Sequence, residues 1–325
     1  MNKLIVSSSP HINKPESVSK IMWVVVASLM PAGIASAFIF GPKVFTVIAL
    51  GIVSAVIAEA VIQFMTRRKI TIYDGSAVLT GLLLAYNLPC HVPFWIPIIG
   101  SFFAIAIGKQ VFGGLGQNIF NPALIGRAFL MASWPKYMTT FTSPFLYDAV
   151  TSATPLAMLK EGKDVIISVS YKDLFMGFRG GCIGEVCIIA LLLGASYLLL
   201  KGYISWHIPF TYIGITALFT WAFGGKSLFG GDWLFHVLNG GLILGAFFMA
   251  TDYVTCPLTR KGRILFAVGC GLLTGIIRIW GGYPEGVCYS ILIMNAATPI
   301  IDRYTRPRIY GTGGKSAVGG ELSIS

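Results

Sequence analysis

Apolar residues fall into ten runs separated by short polar clusters, five before and five after one long hydrophilic stretch. The runs cover roughly residues 21–40, 44–65, 76–90, 93–112 and 119–133, then 182–200, 208–224, 233–251, 264–280 and 285–302. A helix needs about 20 apolar residues to cross the hydrocarbon of a bilayer. The longer runs meet that length, and the shorter ones predict interrupted helices. The pattern therefore predicts an all-α integral membrane protein with about ten transmembrane helices. Its parts are an N-terminal membrane half (1–133), a hydrophilic loop (134–181), a C-terminal membrane half (182–302) and a tail (303–325).

Charge gives the runs an orientation. Lys3, Lys14 and Lys20, then Arg67, Arg68 and Lys69, then Lys201, then Arg260, Lys261 and Arg263, then Arg303, Arg306 and Arg308 all fall on one side if every run crosses. Short loops rich in Lys and Arg stay in the cytoplasm. Both termini are then expected in the cytoplasm, with the 134–181 loop outside; the opposite short loops hold little beyond Lys43 and Lys226. Lys160 and Lys163 lie far from run ends and weigh less. The orientation depends on 119–133, a short run containing Arg127: if it does not cross, the loop changes sides. The run at 21–40 is too long for a signal peptide and lacks a small-residue cleavage pattern, so it is expected to be a retained span.

Composition agrees with this class. Charged residues make up 11% and hydrophobic residues 55%, with mean hydropathy +0.76, against roughly 25% charged in soluble domains. The net charge of +11 does not imply nucleic acid, because the basic residues sit in clusters between apolar runs. Cys90, Cys182, Cys187, Cys256, Cys270 and Cys288 show neither a Cys-x-x-Cys pair nor the spacing of a cluster-binding set. They are expected to be small buried hydrophobes, and no metal site is expected.

The two halves are weakly alike. Pro89 precedes Phe112-Gly113-Gly114 by the same interval that separates Pro257 from Trp280-Gly281-Gly282, and Gly81–Ala85 resembles Gly245–Met249 with a small insertion. Two halves of five runs each would sit with inverted topology, as in transporters whose sites lie at the repeat interface near interrupted helices. Chance likeness between Gly-rich apolar segments is the competing explanation. Glu59, Lys109, Arg127, Glu185, His236 and Arg278 fall within runs, where ionisable groups are expensive. Glu59 and Glu185 suit either an ion path or pairing with Lys or Arg, and His236 lies near enough to Asp232 to be interfacial. Asn121-Pro122 and the two Gly-Gly breaks suit helix ends that face a cofactor or close helix packing through small residues.

The hydrophilic stretch carries Asp148-Ala149-Val150-Thr151-Ser152-Ala153-Thr154-Pro155-Leu156. A loop of this length inside a compact protein usually has a function or is disordered. Thr154 follows the small pair Ser152-Ala153 and precedes a Pro that fixes the local backbone. These features mark it as an attachment site on an exposed loop. The stretch resembles the flavinylation motif Asp-x-x-Ser/Thr-Gly-Ala-Thr, with Ser152 in place of Gly, on which a flavin transferase moves FMN from FAD onto the Thr hydroxyl. The segments Asp74–Ala85 and Phe112–Phe129 are likewise similar to the RnfD/NqrB family, and the likeness covers nearly all of the chain. Length and the short N-terminal stretch place it nearer the RnfD branch.

The resemblance implies a subunit of the Rnf complex in the cytoplasmic (inner) membrane of a bacterium or archaeon. That complex is a translocase passing electrons between ferredoxin and NAD while moving Na+ or H+, in which this chain relays electrons and is not catalytic alone. Implied partners are the FMN-bearing G subunit, the membrane A and E subunits and, during maturation, a flavin transferase. Implied cofactors are FMN covalently bound to Thr154 and a noncovalent riboflavin that no motif locates. Asp148, Thr151, Ser152 and Ala153 would form the attachment motif. Arg127 is a candidate partner of the flavin, and Lys136, Lys160 and Lys163 are candidates for its phosphodiester. The alternative reading is a secondary transporter or channel without a redox cofactor, suggested by the repeat and the buried charges.

Overall fold

A computed structural model describes residues 16–142, 144, 151–152, 154–160, 170–225, 227–283 and 285–307, with the backbone alone at 151–152. Asp148, Ala153, Lys163, Lys226 and the tail beyond residue 307 lie outside the described residues, as do the side chains of Thr151 and Ser152. Helices dominate, and every predicted run contains one. In the first half these are α1 (Val18–Phe40), α2 (Lys43–Met65), α3 (Ser76–Tyr86), α4 (Trp95–Ile105, continued by a π turn Ala106–Gln110) and α5 (Pro122–Ser133). The loop holds α6 (Pro135–Thr139), α7 (Pro155–Lys160), α8 (Tyr171–Met176) and a small antiparallel pair, β1 (Phe141–Thr142) against β2 (Thr151–Ser152). The second half holds α9 (Ile188–Leu200), α10 (His207–Phe223), α11 (Trp233–Leu238), α12 (Leu242–Leu244, continued by a π turn Gly245–Met249), α13 (Arg260–Ile279) and α14 (Val287–Thr305).

Among the described residues, α1, α2 and α13 are long and apolar enough by themselves to cross a membrane. The other runs depart from simple spans for identifiable reasons. The run predicted from 182 becomes helical only at Ile188, because the preceding chain pairs with the end of α3: Ile183 N donates to Leu88 O at 3.0 Å and Gly184 N to Tyr86 O at 2.8 Å. Irregular backbone survives at membrane depth only where protein buries and satisfies it, and Cys182, Ile183 and Val186 are buried here. The run from 233 breaks at Asn239-Gly240-Gly241, where both glycines take positive φ, 71° and 65°, which a Cβ would penalise.

Within the first half α2 packs on α3 and α4, and α4 on α5; within the second α10 packs on α11 and α13, and α13 on α14. Across the halves α1 meets α9 and α5 meets α14. The α2–α3 contact is close: a Cβ on Gly81 would lie 2.5 Å from Gly51 O and 2.8 Å from Ile52 Cα. One apolar core joins both halves and includes Leu156 and Leu174 of the loop. Glu59 is fully buried and bonds to Lys109 Nζ at 2.7 and 2.9 Å, with Gln63, Gln110 and Ser76 completing the group. Pairing thus accounts for Glu59 and Lys109. His236 is buried, 5% exposed, near the start of α11 that Asp232 caps. All six cysteines are unpaired, four of them buried.

Candidate cofactor site

Thr154 stands at the entrance to α7. Its carbonyl accepts from Met158 N at 3.0 Å and its hydroxyl from Ala157 N at 3.2 Å, the usual way a Thr satisfies a free donor at a helix start. The sequence pattern predicts an exposed loop here, yet Thr154 is only 5% exposed. The reason is that the loop segment is docked on the membrane half at two points. Leu156 is buried at 3%, so close to Gly240 that a Cβ there would lie 2.6 Å from Leu156 Cδ1. At the other end of α7, Lys160 Nζ donates to Tyr283 O at 2.7 Å, Ile277 O at 3.3 Å and Gly281 O. Partial burial pushes the Lys160 pKa below its ordinary value. Lys160 is therefore a clamp and not a free phosphate partner. Lys136 remains exposed on α6.

Docking makes Thr154 part of the wall of a cavity that opens partly to the outside. Met138, Phe141, Tyr283 and Tyr289 supply apolar and aromatic surface, and Arg127 and Glu285 supply charge. The rings of Tyr283 and Tyr289 lie 5.0 Å apart and tilted by 34°. Arg127 comes from the middle of α5, which Asn121 starts by accepting from Ala123 N and Leu124 N. Asn121 thus serves its own helix end. The Arg127 guanidinium, 6% exposed, donates to the Glu285 carboxylate and to Asn87 Oδ1.

Two more guanidiniums lie behind this pair. Arg278 donates to the carbonyls of Glu285 (2.9 Å), Asn239 (2.9 Å), Gly240 (3.2 Å) and His236. Arg179 donates to Asn239 Oδ1 and to Glu185 O at 3.0 Å. Glu185 is 4% exposed; one carboxylate oxygen accepts from Cys182 N at 2.9 Å, and the other has no partner among the described residues. The site thus gathers three buried guanidiniums and two carboxylates.

The structure brings together Thr154 and Arg127, which the sequence offers separately. It adds Tyr283, Glu285 and Tyr289, which no motif singles out. Glu285 opens the tenth apolar run, and its nearness to the Gly281-Gly282 break is the signal the sequence holds for it. A second cavity, about 800 Å³, lies at the other end of α5, where Asn118 and Asn121 face Ser76, Lys109 and Asp252.

A profile of the NQR2, RnfD, RnfE family matches residues 5–311. The chain is 53% identical over 321 residues to the D subunit of the proton-translocating ferredoxin:NAD(+) oxidoreductase complex of Clostridium ljungdahlii, covering 96% of this chain and 97% of that protein. It is 53% identical over 310 residues to the D subunit of the Na(+)-translocating ferredoxin:NAD(+) oxidoreductase complex of Acetobacterium woodii, covering 95% of each. It is 39% identical over 327 residues to the D subunit of the ion-translocating oxidoreductase complex of Stutzerimonas stutzeri, covering 91% of this chain and 92% of that protein.

Proposed function

The chain belongs to the NQR2, RnfD, RnfE family, and from that premise we propose that it is the D-type membrane subunit of an ion-translocating ferredoxin:NAD oxidoreductase, carrying FMN on Thr154 as an electron relay. The observation that carries the cofactor reading is that the motif threonine and Arg127 line one cavity. A tethered FMN supplies one-electron redox chemistry that the protein itself lacks. The chain's own residues supply the rest. Thr154 offers the oxygen for attachment, Arg127 offers donors and charge to an anion, and the Tyr283–Tyr289 pair offers aromatic surface.

The same reading gives the second cavity to the noncovalent riboflavin, on its mixed polar and apolar lining. The partners are the other subunits of the complex, among them the G, A and E subunits, and a flavin transferase during maturation. The cytoplasmic (inner) membrane is the location, with both termini inside and the Thr154 loop outside. Two five-helix halves of inverted topology are supported by the matched packing of α2 with α4 and α10 with α13, and by the α1–α9 and α5–α14 contacts between halves. The coupled ion is Na+ or H+: relatives of equal identity carry either name.

Co-expression with a flavin transferase tests the attachment. Wild-type protein should give a fluorescent band at the mass of this subunit on a denaturing gel, and Thr154→Ala should give none while the membrane fold is kept. Thr151→Ala should only lower the yield. Peptide mass spectrometry showing FMN on Thr151, or on no residue, would sink the assignment.

A further inference from the structure

Resting on that reading, we infer that flavin attachment precedes docking of the 154–160 segment, and that Lys160 is the latch that closes over the loaded threonine. Attachment is a phosphoryl-group transfer. The Thr154 oxygen bonds to the FMN phosphorus of FAD, the pyrophosphate P–O bond breaks, AMP leaves, and the hydroxyl proton is released to solvent. No electrons move. The hydroxyl is a weak nucleophile, so an enzyme must activate it and bring a metal to the pyrophosphate. A whole transferase site must therefore surround the threonine oxygen.

The docked segment leaves no room for that. Thr154 is 5% exposed, its hydroxyl accepts from Ala157 N, and it lines the cavity wall. What holds it there is local and separable from the membrane helices. Leu156 fills a site beside Gly240, and Lys160 spans to three carbonyls at the end of α13 and the turn after it. Lys160 is the more reversible of the two. Its ammonium stays at the surface, the carbonyls it meets belong to a helix C-terminus where a cation is favoured, and releasing it empties no core. Tyr283, whose carbonyl is one of the three that accept from Lys160, also lines the proposed flavin cavity. The latch and the cavity wall therefore close together. Lys160 is a positioning residue, acting on the threonine through α7.

The test uses the assembled complex made without transferase. Thr154→Cys is labelled from outside with an impermeant maleimide, with the Thr154 parent giving the background of native cysteines. Labelling should be slow, and Lys160→Met on the same background should speed it roughly tenfold, equivalent to about 1.4 kcal/mol of latch. Leu156→Ala, which loosens the segment by a different contact, should also speed it. With Thr154 intact and purified transferase added with FAD and Mg2+, Lys160→Met should take up covalent flavin faster than wild type. Equal labelling and equal uptake in wild type and Lys160→Met would overturn the latch while leaving the attachment standing. Faster labelling in Lys160→Met with no FMN on Thr154 of any variant would leave the latch standing and remove the attachment.

Discussion

Replacing Arg127 by Leu separates two roles that one side chain combines. The ion pair with Glu285 is largely enclosed, at 7% and 12% side-chain exposure, and Asn87 Oδ1 accepts from the same guanidinium. Two unit charges about 4 Å apart attract by roughly 4 kcal/mol at an effective dielectric near 20. Removing one partner of a buried pair costs about 3–5 kcal/mol, because the other is left charged and dry. Against the roughly 5–15 kcal/mol that holds a native domain together, Arg127→Leu should sharply reduce the yield of assembled complex and its melting temperature. Adding Glu285→Gln removes the stranded carboxylate, so the double variant should recover most of the loss. A deficit of about 1–2 kcal/mol should remain for the unsatisfied Asn87 oxygen. Thermal melts of the four proteins in detergent give the coupling energy. Electron transfer in the double variant, once flavin is loaded, then isolates the second role: it should be slowed although the complex is intact. A single variant as stable as wild type, or a double no better than the single, would refute the pairing argument. An assembled, flavin-loaded double variant with normal electron transfer would refute the flavin role of Arg127.

Three further outcomes follow from the structure. Lys109→Met strands the fully buried Glu59 carboxylate and should cost about 3–5 kcal/mol, largely restored by adding Glu59→Gln; melts that leave Lys109→Met unchanged would show that the pair carries no stability. Gly81→Ala sets a Cβ against the backbone of Gly51 and Ile52, which no rotamer can relieve, so it should cost about 1–3 kcal/mol as overpacking does; an unchanged melting temperature would show that α2 and α3 separate freely. A cysteine at Lys136 should react with an impermeant thiol reagent outside intact cells and one at Lys261 should not, both positions being exposed; the reverse pattern would overturn the orientation inferred from the basic clusters.

Helices are the most readable level of this chain, because burial in lipid forces apolar runs of a fixed length. Their ends are less so. The boundary expected at 182 moves to Ile188 because the segment before it hydrogen-bonds to Tyr86 and Leu88, partners far away in the chain that no local pattern announces. The break inside 233–251 does leave a mark, Gly240-Gly241, but a Gly pair in an apolar run suits close helix packing equally well. The site divides the same way. Thr154 is legible because the motif around it is one contiguous stretch of sequence. Arg127 is legible as a charge where charge is costly. Glu285, Tyr283 and Tyr289 reach the cavity only because α14 packs against α5, and the clamp by Lys160 is made to carbonyls, which carry no residue identity at all.

That division has a consequence for how the site works. A tether fixes which molecule is present but leaves its ring free to sample the loop's surroundings. Position must come from the cavity, and the cavity is built by segments that carry no attachment signal. Its charge comes from them as well. Arg278 is satisfied by four carbonyls, and the two Nη groups of Arg179 by Asn239 and the Glu185 main chain, its Nε having no partner among the described residues. Arg127 is the guanidinium of the three that lines the cavity. Three buried guanidiniums against two carboxylates leave the cluster one positive charge in excess, and an uncompensated charge at low dielectric is costly. The phosphodiester arriving on Thr154 would bring about one negative charge to the wall that lacks it. On this account the loop supplies the anchor and the membrane half supplies the field, and α7 brings the two together.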